Sequence, residues 1–110
     1  MSGKLGGRVA VVTGASKGLG KAMAMALAVE GARVALIARD RQHLTGLAEA
    51  IRAARGTAEA FPADVISEEQ VRRACHDVVT RFGEVNILIN NAGIDRARFF
   101  LDTYNVGIAF

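Results

Sequence analysis

The chain has 110 residues, enough for one domain and too few for two, because single cores run to about 100–150 residues before chains split. It is 51% hydrophobic and 23% charged, with 12 glycines and one proline, a balance that excludes a disordered or low-complexity chain. The formal charge of +3 is spread over scattered Lys and Arg among 11 acidic residues, so no basic stripe marks a nucleic-acid face.

The single cysteine, Cys75, excludes an internal disulfide framework and a cysteine-cluster zinc site. With neither a signal-like N-terminus nor a membrane-spanning apolar run, the chain is expected in the cytoplasm, with no membrane partner. Aromatic residues are only 5%, so the expected core is Ala, Val, Leu and Ile packed between helices and a sheet.

A first strand is expected at Val9–Thr13, running into a glycine-rich turn from Gly14 to Gly20. A helix follows, with Ala22, Met23, Ala26 and Leu27 at helical spacing and Gly31 as its stop. Arg33–Ala38 reads as the second strand. Asp40 can cap the next helix, whose Leu44, Leu47, Ala48 and Ile51 fall on one face and which Gly56 closes. The third strand is expected at Thr57–Phe61. Ser67 and Gln70 form a capping box ahead of Val71, Ala74, Val78 and Phe82, which predicts a helix over 68–82 ending at Gly83. Val85–Asn90 is the fourth strand. Unbroken apolar runs such as Val9–Val12 and Ile87–Ile89 imply strands covered on both faces, as in a parallel sheet with right-handed crossovers. Residues 94–110 have no clear period and read as helix or coil.

Chemistry concentrates in the turn Thr13-Gly14-Ala15-Ser16-Lys17-Gly18-Leu19-Gly20. Its glycines omit Cβ atoms where the backbone turns sharply and where a pyrophosphate would approach, and the next helix offers free N–H groups to the anion. The alternative is a glycine loop serving only a tight strand-to-helix connection. A Walker-type loop is disfavoured, since Gly20-Lys21 is followed by Ala22 where Ser or Thr is required. His43 and His76 read as solvated, and Cys75 as a small core filler.

Three motifs in order, TGASKGLG at 13–20, Asp64-Val65 and Asn90-Asn91-Ala92-Gly93, resemble the short-chain dehydrogenase/reductase family over about residues 7–93. The resemblance implies a Rossmann-type doubly wound parallel sheet, α/β, with four strands in the order 3-2-1-4. It further implies nicotinamide dinucleotide binding by Gly14, Ser16, Lys17, Gly18, Leu19 and Gly20, with Asp64 and Val65 at the adenine. Asn91, Ala92 and Gly93 would lie under the nicotinamide-side ribose, and Asn90 would brace its strand. For Asp64, a cap before the third helix is the alternative. Relatives that use NAD carry an acidic residue near the end of the second strand; here stand Ala38 and Arg39. A guanidinium pairs with a 2′-phosphate, so Arg39, helped by Lys17, argues for NADP(H) over NAD(H). Asp40 beside it could neutralise Arg39, and both cations could be ordinary surface charges.

The family's proton-donating tyrosine, with a lysine four residues on, is not identifiable. The only tyrosine is Tyr104, Ile108 stands four residues later, and no lysine follows Lys21. Asn105-Val106-Gly107 is similar to the family's N-x-x-G stretch but comes too soon after Gly93. The chain therefore reads as a truncated or internally deleted relative, whose parent reaction is alcohol/carbonyl oxidoreduction. The alternative is a non-catalytic dinucleotide-binding or interaction module. Its fourth strand is expected to be an edge, which relatives cover with another strand and for which residues 94–110, a partner subunit or missing sequence must supply the cover; a homo-oligomer or an assembly with a full-length paralogue is the expected partnership.

Overall fold

The computed structural model describes residues 3–92 and 108–109. Strand and helix alternate through β1 (Val9–Thr13), α1 (Gly18–Val29), β2 (Arg33–Ile37), α2 (Arg41–Ala53), β3 (Thr57–Ala60), α3 (Glu68–Phe82) and β4 (Ile87–Asn90), followed by β5 (Ile108–Ala109). All pairings are parallel, in the order β3-β2-β1-β4-β5. The expected 3-2-1-4 arrangement is therefore present as four strands flanked by three helices.

The alternation of each strand divides the core in two. Ala10, Val12, Val34 and Leu36 face α1 and α2, while Val9, Val11, Ala35 and Ile37 face the side of α3. Each residue from Val9 to Thr13 is buried, as the unbroken apolar run requires of a central strand. Cys75 lies fully buried on the α3 side, where burial pushes its thiol up to about 12. Phe82 packs edge-on against Phe61, 6.2 Å between centroids, and Arg33 lies 5.0 Å above its ring.

Four expectations change. The buried residues of α1 are Gly20, Ala24 and Ala28, with Ala22 and Ala26 exposed and Met23 and Leu27 half-buried. An alanine-rich helix carries little information about its rotation; the contact of Gly20 with the preceding turn sets it instead. The left-handed residue closing α2 is Arg55, at φ 70°, rather than Gly56. Gly56 is needed for space, since a Cβ there would stand 2.7 Å from the Ile51 side chain. β4 begins at Ile87 because the Asn86 side-chain oxygen accepts the Val9 N–H at 2.8 Å, taking the place of a ladder bond. Finally, β4 is not the edge of the sheet. Ile108 and Ala109 pair with Ile87 and Leu88, so part of the segment read as helix or coil is a short strand that satisfies the outer backbone groups of β4.

Candidate functional site

Parallel pairing brings the C-terminal ends of the strands to one edge. Thr13 stands level with Ile37 on one side and Asn90 on the other, so the connections leaving β1, β2 and β4 start side by side. Thr13 is the only polar residue buried among the described residues. Its hydroxyl lies 3.1 Å from the Asn90 side-chain oxygen and 3.4 Å from the Ile89 carbonyl, and accepts from the Ala92 N–H at 3.2 Å. Asn90 thus braces the end of β4 against β1, as expected. Asn91 donates from Nδ2 to the Gly14 carbonyl at 3.2 Å, and Ala15 donates to the Ile37 carbonyl at 3.4 Å. The glycine turn is consequently fastened to both neighbouring strands.

Three of its glycines are required by geometry: Gly14 and Gly20 by close approach, and Gly14 and Gly18 (φ +60°) by a left-handed backbone. Gly14 has φ +64°, a left-handed conformation, and a Cβ there would meet Asn91 Nδ2 at 3.2 Å. A Cβ at Gly20 would stand 2.2 Å from the Gly14 carbonyl oxygen and 2.7 Å from Asn91 Nδ2. No side chain fits there without moving backbone, so this glycine lets α1 press directly on the turn. Around Gly18 nothing lies within 4 Å of the Cβ position, and the turn is open to solvent there. Leu19, next in the chain, is an exposed apolar residue, 67% accessible.

The start of α1 differs from the other two helix starts. Its N-cap, Lys17, gives no side-chain hydrogen bond, and its first turn holds no acidic residue. By contrast, Asp40 caps α2 by accepting from the His43 N–H at 3.1 Å, and Ser67 caps α3 by accepting from the Gln70 N–H at 3.3 Å. Helix-start N–H groups carry partial positive charge and attract anions. At α1 this chain leaves those groups without a carboxylate or hydroxyl on them, beside a cationic lysine.

Next to this helix start lies an open cleft of about 420 Å³ lined by Ser16, Lys17, Arg39, Asp40 and His43. Arg39 is 78% exposed, with Nη1 at 3.9 Å from Asp64 Oδ2, a loose surface pair of small energetic weight. Asp40 does not neutralise Arg39. One of its oxygens accepts from the His43 backbone and the other meets His43 Nδ1. These hydrogen bonds, the side-chain one foremost, hold the Asp40 carboxyl below the usual carboxylate range. The solvated reading of His43 is therefore incomplete: the ring is exposed, but Asp40, one turn earlier across the helix start, is its partner.

Asp64 lies beyond β3. Its Oδ1 accepts from the Ile66 N–H at 3.0 Å, and its own N–H donates to Gln70 Oε1 at 2.8 Å. Capping of α3 thus falls to Ser67, while Asp64 shapes the turn before it. Gln70 reaches Asp64 rather than returning to Ser67, so the capping box closes three residues further out. Val65 packs half-buried against the core on the α3 side. The structure thereby brings Gly14, Ser16, Lys17, Gly18, Leu19, Gly20, Arg39, Asp64, Asn91 and Ala92 to one end of the sheet. Gly93, Tyr104 and the stretch 105–107 lie outside the described residues. Sequence reasoning places Thr13 at the head of the glycine motif without giving it a role, and reads the ring of His43 only as solvated. The D-x-x-H spacing across a helix start was the available signal for the second; the bracing contacts of the first depend on how β4 lies beside β1.

Among the described residues, no group of three His, Cys, Asp or Glu side chains is placed to hold a metal. No described helix is long and apolar enough to cross a membrane.

The sheet order, the helices on both faces and the glycine-built first turn define a Rossmann-type α/β domain. Residues 8–107 match the sequence model of the short chain dehydrogenases, and the chain belongs to that family, whose members are oxidoreductases that bind nicotinamide dinucleotides. It is 47% identical over 92 residues to an uncharacterised oxidoreductase of Methylorubrum extorquens, covering 83% of this chain and 37% of the relative. D-threitol dehydrogenase of Mycolicibacterium smegmatis is 39% identical over 93 residues, covering 84% of this chain and 36% of that enzyme. Among solved structures, a metagenomic short-chain oxidoreductase in complex with NADP superposes with a TM-score of 0.77 at 42% identity, over 82% of this chain and 41% of that one. The chain thus spans between 19% and 37% of the length of curated relatives it matches.

Proposed function

We propose that this chain is the NADP(H)-binding portion of a cytoplasmic short-chain dehydrogenase/reductase whose whole reaction interconverts an alcohol and a carbonyl. One observation carries the reading: the uncapped start of α1 opens beside a cleft whose cations, Lys17 and Arg39, are not cancelled by Asp40. The residues present fit such a cofactor. Gly18 leaves room for a pyrophosphate to approach, and Gly14 and Gly20 hold the backbone that would receive it. Ser16, Lys17 and the N–H groups at the start of α1 would bind the phosphates, and Leu19 would cover an apolar part of the cofactor.

Arg39 and Lys17 would pair with the 2′-phosphate. Asp64 would accept from the adenine amino group, with Val65 against the ring, and Asn91, Ala92 and Gly93 would support the nicotinamide-side ribose. When bound, the nicotinamide supplies or receives the hydride of the redox step; the groups described here bind and orient it.

The test is a titration of the full chain with NADPH and with NADH, following nicotinamide fluorescence. NADPH is expected to bind more tightly, with the order reversed in Arg39→Asp. Negligible binding of both would remove the cofactor reading.

A further inference from the structure

We propose that Gln70, in the first turn of α3, is a positioning residue for the purine base: it holds the Asp64 turn so that one carboxylate oxygen is kept for the amino group of adenine. The inference rests on the assignment of Asp64 to that amino group. Three hydrogen bonds fix the turn. Gln70 Oε1 accepts from the Asp64 N–H at 2.8 Å, Asp64 Oδ1 accepts from the Ile66 N–H at 3.0 Å, and the Asp64 carbonyl accepts from the Ser67 N–H at 2.9 Å. The backbone of Asp64 is thus tied on both sides to the start of α3, and one side-chain oxygen is tied to the turn itself. Oδ2 is left as the oxygen on the side of Arg39, whose Nη1 lies 3.9 Å away.

Ala63 is still fastened to the sheet, its N–H donating to the Ala38 carbonyl at 3.0 Å, and Asp64 is the next residue on. Gln70 extends that attachment by one residue, from a helix instead of a strand. An ionised carboxylate only accepts hydrogen bonds. Held in one direction, Oδ2 suits a base that presents an amino group and opposes one that presents a carbonyl in the same place, as hypoxanthine does. Such a site rejects the wrong base because buried polar groups are left unpaired, which shape alone does not achieve. Without Gln70 the Asp64 N–H turns to water and the carboxylate loses its fixed direction, while the other two bonds of the turn remain.

Affinities are measured by nicotinamide fluorescence for NADPH and for its hypoxanthine analogue, in which a carbonyl replaces the purine amino group, with the native chain, Gln70→Ala, Gln70→Glu and Ser67→Ala. The native chain is expected to prefer NADPH. Gln70→Ala should reduce that preference by about threefold to tenfold, the size of one net hydrogen bond. Gln70→Glu retains an acceptor and should keep the preference. Ser67→Ala weakens the start of the same helix without removing the acceptor of the Asp64 N–H, and should keep it too, which separates positioning from helix stability. An unchanged preference in Gln70→Ala, or an equal fall in Gln70→Glu or Ser67→Ala, overturns the role of Gln70 while leaving the base site standing. A native chain that binds both dinucleotides equally, or neither, overturns the assignment of Asp64 to the adenine, and this inference with it.

Discussion

The starts of α1 and α2 lie side by side at the same end of the sheet and are built on opposite principles. At α1 the backbone does the work. Gly20 rests on the Gly14 carbonyl with no room for a Cβ, Asn91 ties that carbonyl to β4, and no side chain caps the helix. At α2 side chains do it: Asp40 caps, His43 pairs with it, and Arg39 extends into solvent. The first arrangement is close-packed backbone with the helix dipole and the N-cap cation Lys17 at its mouth, which suits recognition of the pyrophosphate shared by all dinucleotides. The second is exposed and charged, which suits discrimination between cofactors that differ by one phosphate. Shape is fixed in the backbone, and selectivity is left to groups that can change without disturbing the fold.

Breaking the α1 side should have the largest effect. Gly20→Val forces a side chain into backbone and should weaken NADPH and NADH alike, by about 10- to 100-fold or more, as expected for overpacking at a close-packed contact. Fluorescence titration against both cofactors checks this. A loss confined to NADPH would show that the turn is not the shared binding element. On the α2 side, Arg39→Asp replaces the cation proposed to pair with the 2′-phosphate by a repelling anion and should cost NADPH about 10- to 100-fold while sparing NADH. Lys17→Ala removes an exposed cation on the other wall of the cleft, proposed to neighbour the phosphates. Its cost should be about threefold to tenfold for NADPH, fading as salt is raised.

The third helix start supplies the smallest functional effect. Ser67→Ala removes the cap of α3 and should lower stability by about 1 kcal/mol in denaturant unfolding while leaving both affinities unchanged. A change in affinity there would mean that helix starts at this end of the sheet are energetically coupled, against the division drawn between them.

Much of this division could be read from the residues. Unbroken apolar runs locate β1 and β2 because central parallel strands are buried on both faces, and the faces of α2 and α3 follow from Leu44 to Ile51 and Val71 to Phe82. The rotation of α1 was not legible, because alanines at 22, 24, 26 and 28 present nearly the same residue to every side; a tertiary contact at Gly20 decides it. Nor was β5, since a two-residue strand carries no period and exists only through its pairing with β4. In the site, the glycine turn declares itself by composition. The partners of its charges do not: whether Asp40 faces Arg39 or His43 depends on the path of the chain out of β2, and the approach of Asp64 to Arg39 depends on how β3 lies beside β2.

The most direct measurement is a single set of NADPH and NADH dissociation constants for the native chain, Gly20→Val and Arg39→Asp, taken in one buffer at low salt. The account predicts that Gly20→Val lowers both affinities together and that Arg39→Asp lowers only that for NADPH, leaving NADH the tighter ligand. It is contradicted if Arg39→Asp weakens the two cofactors equally, or if Gly20→Val leaves either affinity intact.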